Sequence, residues 1–193
     1  LDFLLIAILT LFAALTSLID LGNRSAAQTF WKPGSAGEGF IVDFGDVRKV
    51  DRINLYEGPG ATGESKIESS ADGTNWEPYL TVEHKTNRVF TWKHEDKSVE
   101  ARYMRFTTVR TGFRLYEAGF FAKENETPLA IAGITPLESA NPDAEGSGDL
   151  VFDEQSEVPY RPDYRNGMYF DEIYHGRTAY EFIEQMEPYE NTH

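Results

Sequence analysis

The chain has 193 residues, no cysteine and a formal net charge of −14. Its length suggests one domain with appendages. The acidic charge argues against a nucleic-acid binder, because such a protein needs basic side chains to neutralise phosphates. Without cysteine, the chain can form neither a disulfide nor a thiolate metal site.

The chain opens with an apolar run that carries no charge from Phe3 to Ile19. As a helix this run would rise about 25 Å, against about 30 Å for the hydrocarbon core of a bilayer. It predicts a transmembrane helix over residues 1–22, which would put the β domain and the catalytic loop on the extracytoplasmic side of the cell membrane. The alternative is a secretory signal peptide, with the small residues Ser25 to Ala27 as its cleavage site.

Residues 37–123 consist of short runs in which aromatic and β-branched residues alternate with polar ones, as in GFIVDF and ARYMRFTTV. Turn segments such as ADGTNW separate these runs. Alternation with a period of two predicts strands, and closely spaced turns predict antiparallel connections. The sequence therefore predicts a mainly β protein built on an antiparallel sandwich.

Three segments, IVDFGDVRKVDRINLYEGPG, SSADGTNWEPY and ARYMRFTTVRTGFRLYEAGFF, resemble the discoidin (coagulation-factor C-type) domain. The resemblance implies an eight-stranded jelly-roll sandwich over residues 28–134. Members of this family often bind sugars or lipid head groups through loops at one end. Trp31 and Tyr56 lie near predicted loops and are the candidate carbohydrate contacts, with a purely structural or spacer role as the alternative. The resemblance also allows a bound calcium, although the sequence has no loop dense in oxygen ligands.

Residues 135–150 are rich in Pro, Gly, Ser and acidic residues and predict a flexible linker. The triplet Phe-Asp-Glu occurs twice in the closing segment 151–193, at 152–154 and at 170–172. Prolines after the first triplet prevent a helix. The second triplet opens a predicted C-terminal amphipathic helix.

The start of this predicted helix carries a possible chemical cluster. Asp171 and His175 are separated by one helical turn and share a face, and Arg177 lies further along. A carboxylate, an imidazole and a guanidinium close together can accept a proton and hold a phosphate. The alternative is that Asp171 and Glu172 are ordinary capping residues, which are favoured at helix starts.

The run YFDEIYHGRTAYE, from Tyr169 to Glu181, resembles the first extracytoplasmic loop of bacterial protein O-mannosyltransferases. These are integral-membrane enzymes of the C-type glycosyltransferase superfamily. The resemblance implies that a full-length parent transfers mannose, or a similar sugar, from a polyprenyl-phosphate carrier to an acceptor hydroxyl, expected to be a protein Ser or Thr. The transfer would invert the anomeric carbon.

In that family context, the resemblance implies that Asp171 is the catalytic base. Glu172 would orient the acceptor or share a divalent cation, the one cofactor that the resemblance allows. His175 and Arg177 are candidates for binding the leaving phosphate. We expect the 193-residue piece alone to be inactive, because further membrane helices would be missing. The alternative function is a membrane-tethered, non-catalytic carbohydrate-binding module.

Overall fold

The computed structural model describes residues 2–19, 22–23, 25–123, 125–137 and 142–189. Its elements, in chain order, are α1 (Asp2–Ser17), β1 (Gly39–Glu57), β2 (Gly63–Ser70), β3 (Glu77–His84), β4 (Thr91–Arg110), β5 (Leu115–Phe121), β6 (Gly133–Leu137), two 3₁₀ turns (Gly148–Val151 and Gln155–Glu157) and α2 (Glu172–Ile183). Every strand pairing is antiparallel. The predicted mainly β, antiparallel fold is confirmed.

Strands β1 and β4 are long and run through both layers of the fold. In one layer β1 lies between β4 and β6, and β2 and β3 continue the sheet beyond β4. In the other layer β1 lies between β4 and β5. Each long strand thus contributes one segment to each layer. The pairings join the six strands of the described chain into one continuous antiparallel sheet, and the eight-stranded count of the jelly roll stays a prediction.

The bend in β1 lies where its pairing with β4 shifts register, between Asp43 and Arg48. Gly45 has a φ of +82°, a conformation that glycine adopts without steric cost. Asp43 Oδ1 accepts a hydrogen bond from the Gly45 N–H at 2.7 Å, and the two carboxylate oxygens accept bonds from Arg102 at 2.9 and 3.0 Å. The Arg102 guanidinium holds the pKa of Asp43 below its ordinary value. These hydrogen bonds of the Asp43 carboxylate fix the bend.

The two layers meet in an aromatic core. Phe106 of the larger layer contacts Phe120 of the smaller one, with ring centroids 6.2 Å apart, and Phe44 meets Phe120 edge-on at 5.2 Å. The closing segment also contributes to this core, because the ring of Phe152 stacks on Phe120 at 6.0 Å. Other buried members include Phe40, Val42, Ile53, Leu55, Ile67, Met104 and Val151.

Helix α1 has no buried residue, and its apolar side chains are exposed. It has 16 residues, which corresponds to about 24 Å of helix. Among the described residues, the structure contains no helix whose length and apolar character would suffice to cross a membrane. The predicted transmembrane helix over residues 1–22 is therefore not confirmed, and Leu1, Asp20 and Leu21 lie outside the described residues.

The stretch predicted as a flexible linker makes defined contacts where the structure describes it. Its first residues, 135–137, belong to β6, which pairs with β1. Glu145 forms a backbone bridge with Lys32, and Gly148 is buried against the ring of Phe40. Residues 138–141 lie outside the described parts of the chain.

We expect Phe152→Ala to lower the free energy of unfolding by about 3–5 kcal/mol, because it removes a buried ring from the core. Phe182→Ala is the control, since its ring is 67% exposed, and it should change stability by about 0.5 kcal/mol or less. Urea denaturation followed by circular dichroism measures both. Equal losses in the two variants would contradict the docking of the closing segment into the core.

Candidate functional site

A groove of about 720 Å³ lies between the segment that follows α1 and the segment that precedes α2. Its lining residues are Gly22, Asn23, Ser25, Ala26, Tyr56, Tyr164, Arg165, Asn166, Gly167, Met168, Tyr169 and Glu172. The Asn23 N–H donates to the Arg165 carbonyl at 2.8 Å and joins the two walls. The Met168 N–H donates to the Phe90 carbonyl at 2.9 Å and ties one wall to the loop between β3 and β4.

Two tyrosines give the groove its apolar surface. Tyr164 is 62% exposed and Tyr169 is 69% exposed, so both side chains are accessible at the surface, and the Arg165 guanidinium lies 5.8 Å from the centre of the Tyr164 ring. Polar groups flank them: Arg165 forms an ion pair with Asp163 at 2.6 Å, and Glu172 accepts a hydrogen bond from the Tyr169 N–H at 3.1 Å. The groove thus places flat apolar rings beside hydrogen-bonding groups.

Tyr56, a predicted carbohydrate contact, lies at the floor of this groove but is only 3% exposed. Its ring packs on Trp92 at 5.0 Å and meets Tyr116 edge-on at 6.2 Å. Burial raises the pKa of Tyr56 to about 12. The residue therefore supports the groove from below, and the expectation of an open Tyr56 ring is corrected.

Trp31, the other predicted carbohydrate contact, lies in the core. Its backbone N–H and carbonyl both pair with Leu115, at 2.9 and 3.0 Å. Its ring packs edge-on against Phe40 at 5.0 Å and Phe113 at 5.8 Å. At 5% exposure the ring has no open face at the surface, which corrects the expectation that it lies in an accessible loop.

The two Phe-Asp-Glu triplets have different environments. In the first, Asp153 accepts a bond from the Thr29 hydroxyl at 2.8 Å, and Glu154 accepts one from the Gln28 N–H at 2.7 Å. In the second, Asp171 and Glu172 are exposed at the start of α2. The Asp171 side chain makes no capping hydrogen bond, whereas Glu172 accepts the Tyr169 N–H at 3.1 Å, which is the kind of bond expected of a capping residue.

The structure does not present Arg177 as an open phosphate-binding group, whereas His175 is exposed on α2. Arg177 is buried and its Nε donates to Glu181 at 2.7 Å. Its guanidinium also donates to the Thr86 carbonyl and lies 4.0 Å from the centre of the Tyr189 ring. These contacts dock α2 on the loop between β3 and β4.

Three carboxylates, Glu117, Asp153 and Glu154, have oxygen atoms within 4.8 Å of one another and are candidate cation ligands. Both Glu117 oxygens already accept hydrogen bonds, from the Glu154 N–H at 3.0 Å and the Gln155 side-chain amide at 2.6 Å. These hydrogen bonds anchor the closing segment to β5.

The sequence match extends over more than half of the chain: residues 14–118 match the F5/8 type C domain. The chain belongs to the F5/8 type C domain family. The predicted discoidin (coagulation-factor C-type) domain is thereby confirmed. The match ends before Asp171 and Glu172, so the resemblance of the closing segment to mannosyltransferases stays a prediction.

Several solved structures are similar to this F5/8 type C domain protein. A pectin-binding carbohydrate-binding module is 17% identical, with 46% of this chain and 70% of that chain covered and a TM-score of 0.38. The module CpGH89CBM32-6 from Clostridium perfringens is 18% identical, with 51% and 80% covered and a TM-score of 0.41. CBM32-1 from a family 31 glycoside hydrolase of Clostridium perfringens is 17% identical, with 52% and 74% covered and a TM-score of 0.39. A comparison with curated proteins gives no match.

Sequence reasoning missed Tyr164 and Tyr169 as candidate ligand contacts. Both belong to the segment YRPDYRNGMY, in which tyrosines occur among Pro, Asp, Asn and Gly. Such turn-forming residues indicate a surface loop. Large aromatic side chains repeated within a surface loop were the signal that could have identified this wall of the groove.

The buried carboxyl group of Glu117 should make stability depend on pH. Burial raises its pKa from the ordinary 4.5 to about 8, although the N–H groups of Glu154 and Gln155 act in the opposite direction. Between these two values the folded chain keeps a proton that the unfolded chain has lost. Stability should therefore fall as pH rises from about 4.5 to about 8, and level off above, with a limiting slope of about 1.4 kcal/mol per pH unit.

In Glu117→Gln this slope should be largely absent, whatever the change in absolute stability, because glutamine does not titrate. Glu77→Gln, at an exposed position, should keep the wild-type slope. Urea denaturation at several pH values between 5 and 9 (about one unit apart) measures the slopes. A wild-type slope in Glu117→Gln would contradict the role given to this carboxyl group.

Proposed function

We propose that this F5/8 type C domain protein binds a carbohydrate in the groove between the segment that follows α1 (Gly22, Asn23, Ser25 and Ala26) and the segment that precedes α2 (residues 164–169). The observation that carries the proposal is the pair of exposed tyrosines, Tyr164 and Tyr169, beside the polar groups of Arg165, Asn166 and Glu172. A sugar has apolar C–H faces and a rim of hydroxyl groups. The tyrosine rings would pack against the C–H faces, and the polar side chains would bind the hydroxyls.

The walls of the groove are held before any ligand arrives. Asn166 Oδ1 accepts the Asp163 N–H at 3.1 Å, so the turn that carries Tyr164 is closed on itself. On the opposite wall, the Ser25 hydroxyl donates to Glu157 at 2.9 and 3.0 Å. Groups that are already ordered lose less conformational entropy on binding, which favours affinity. The proposed partner is therefore a sugar or glycan that enters a largely preformed site.

The groove should bind simple sugars with an affinity that depends on both tyrosines. Isothermal titration with galactose, mannose and N-acetylglucosamine, and with their trisaccharides, tests this. We expect Tyr164→Ala and Tyr169→Ala each to weaken binding about tenfold, because each removes one stacking surface. Phe182→Ala, an exposed ring on α2 outside the groove, should bind as the wild type does. No binding by the wild type, or equal binding by all variants, would refute the groove as the site.

A second proposal is that the chain is part of a longer inverting glycosyltransferase with Asp171 as its base, acting at an extracytoplasmic membrane surface. The observation that favours it is the exposed Asp171 carboxylate, which makes no capping bond next to a groove suited to sugars. Asp171 would accept the proton of the acceptor hydroxyl as that oxygen bonds to the anomeric carbon. The carrier phosphate would leave with the electron pair of the broken bond.

In a full-length parent, Asp171→Asn should lower turnover by about 10² or more, because asparagine cannot accept the proton. Asp153→Asn is the matched control in the first triplet. It should change turnover by no more than a few-fold, because Asp153 has a structural partner, the Thr29 hydroxyl. The assay follows transfer from a polyprenyl-phosphate-linked mannose to a Ser/Thr peptide, with protein level measured in parallel. Transfer by Asp171→Asn at the wild-type rate would rule out the catalytic assignment.

A further inference from the structure

Phe170, which lies directly after the groove wall, combines an exposed ring with an unfavourable backbone conformation. Its φ is +51°, in the left-handed region that bulky side chains avoid. Its ring is 72% exposed, so packing in the folded chain does not offset this cost.

The described residues include two other non-glycine residues with positive φ, and Phe90 is the first. Its ring packs edge-on against Tyr180 at 5.5 Å. Its N–H donates to the Glu57 carbonyl at 2.7 Å, and its carbonyl accepts from Met168. Phe90 therefore joins the loop between β3 and β4 to both β1 and the groove wall, which accounts for its conformation.

Gln185, the second of these residues, directly follows the last turn of α2 and has a φ of +55°. The Met186 N–H donates back to the Glu181 carbonyl at 2.8 Å. A left-handed residue after the last turn is a common way to satisfy the final carbonyls of a helix. The conformation of Gln185 thus also has a local structural reason.

The fold gives no comparable reason for a phenylalanine at position 170. Its carbonyl accepts the Ile173 N–H at 3.2 Å and helps to open α2, a backbone bond that glycine would form without strain. The ring of Phe170 lies 6.4 Å from that of Tyr169, with 39° between their planes. The strained backbone therefore presents a second open ring beside the aromatic wall of the groove. Backbone strain that packing does not explain is concentrated at functional sites.

We propose that Phe170 is a further ligand-contacting residue and that the ligand is an oligosaccharide of at least two consecutive sugar units. This inference rests on the proposed groove. One sugar unit would pack on Tyr169 within the groove, and the next unit would pack on Phe170 outside it. Because the two rings are tilted by 39° and lie 6.4 Å apart, two linked sugar units match them better than a single unit does.

The test compares monosaccharides with trisaccharides of galactose, mannose and N-acetylglucosamine by isothermal titration. The wild type should bind its preferred trisaccharide about tenfold or more tightly than the monosaccharide, since a second stacking contact is added. Phe170→Ala and Phe170→Gly should lose the tighter binding of the trisaccharide and keep the wild-type affinity for the monosaccharide. Phe182→Ala is the control for loss of an exposed ring and should keep the tighter binding of the trisaccharide.

Thermal melts distinguish the backbone strain at position 170 from the loss of a ligand contact there. Phe170→Gly should melt about 2–4 °C above Phe170→Ala, because only glycine relieves the left-handed conformation. If Phe170→Ala still binds the trisaccharide more tightly than the monosaccharide, the inference about Phe170 is wrong, whereas the proposal of the groove as a sugar site is not affected. If the wild type binds none of these sugars, the proposed function fails together with the inference. Equal melting temperatures for the two variants would refute the strain on which the inference depends.

Discussion

The hydrogen bonds of the Asp43 carboxylate hold the bend on which both layers of the sandwich depend. Asp43 binds the Gly45 N–H within β1 and the Arg102 guanidinium of β4, so both long strands are fixed at the same point. Across this point the partner of β1 changes, because β6 pairs with β1 as far as Asp43 and β5 pairs with it from Arg52 onward. The bend also turns Phe44 toward Phe120, which starts the contact between layers. The sequence Asp-Phe-Gly thus has a physical role at each of its three positions.

The closing segment belongs to the sandwich because it supplies what the strands lack. Phe152 fills the core from outside the strands, and the N–H groups of Glu154 and Gln155 satisfy the buried carboxyl group of Glu117. A carboxyl group with no exposed surface would otherwise be costly, since burial without hydrogen bonds penalises polar groups. Anchored in this way, the chain continues to Met168, whose bond to Phe90 positions the groove wall. The groove is therefore a consequence of core packing.

The strands were predictable because alternating apolar residues directly report burial, as Phe40, Val42 and Phe44 show. The burial of Trp31 was not predictable, because a single aromatic residue among turn-forming neighbours carries no periodic signal. Its burial depends on backbone pairing with Leu115, which is distant in the sequence. The packed face of α2 was not predictable either. Its apolar residues Phe182 and Ile183 are exposed, whereas Arg177 and Glu181 are buried. Burial of these charges is possible because Arg177 donates hydrogen bonds to the Glu181 carboxylate and to the Thr86 carbonyl.

The two proposals use neighbouring groups of one segment, and the roles of Asp171 and Glu172 in them differ. Glu172 accepts the Tyr169 N–H, so it fixes the aromatic wall whether or not any transfer occurs. Its loss would disturb sugar binding and chemistry together and could not separate them. Asp171 has no such backbone bond, and its carboxylate can change without moving the wall. Asp171 is therefore the member of the pair through which catalysis can be distinguished from binding alone.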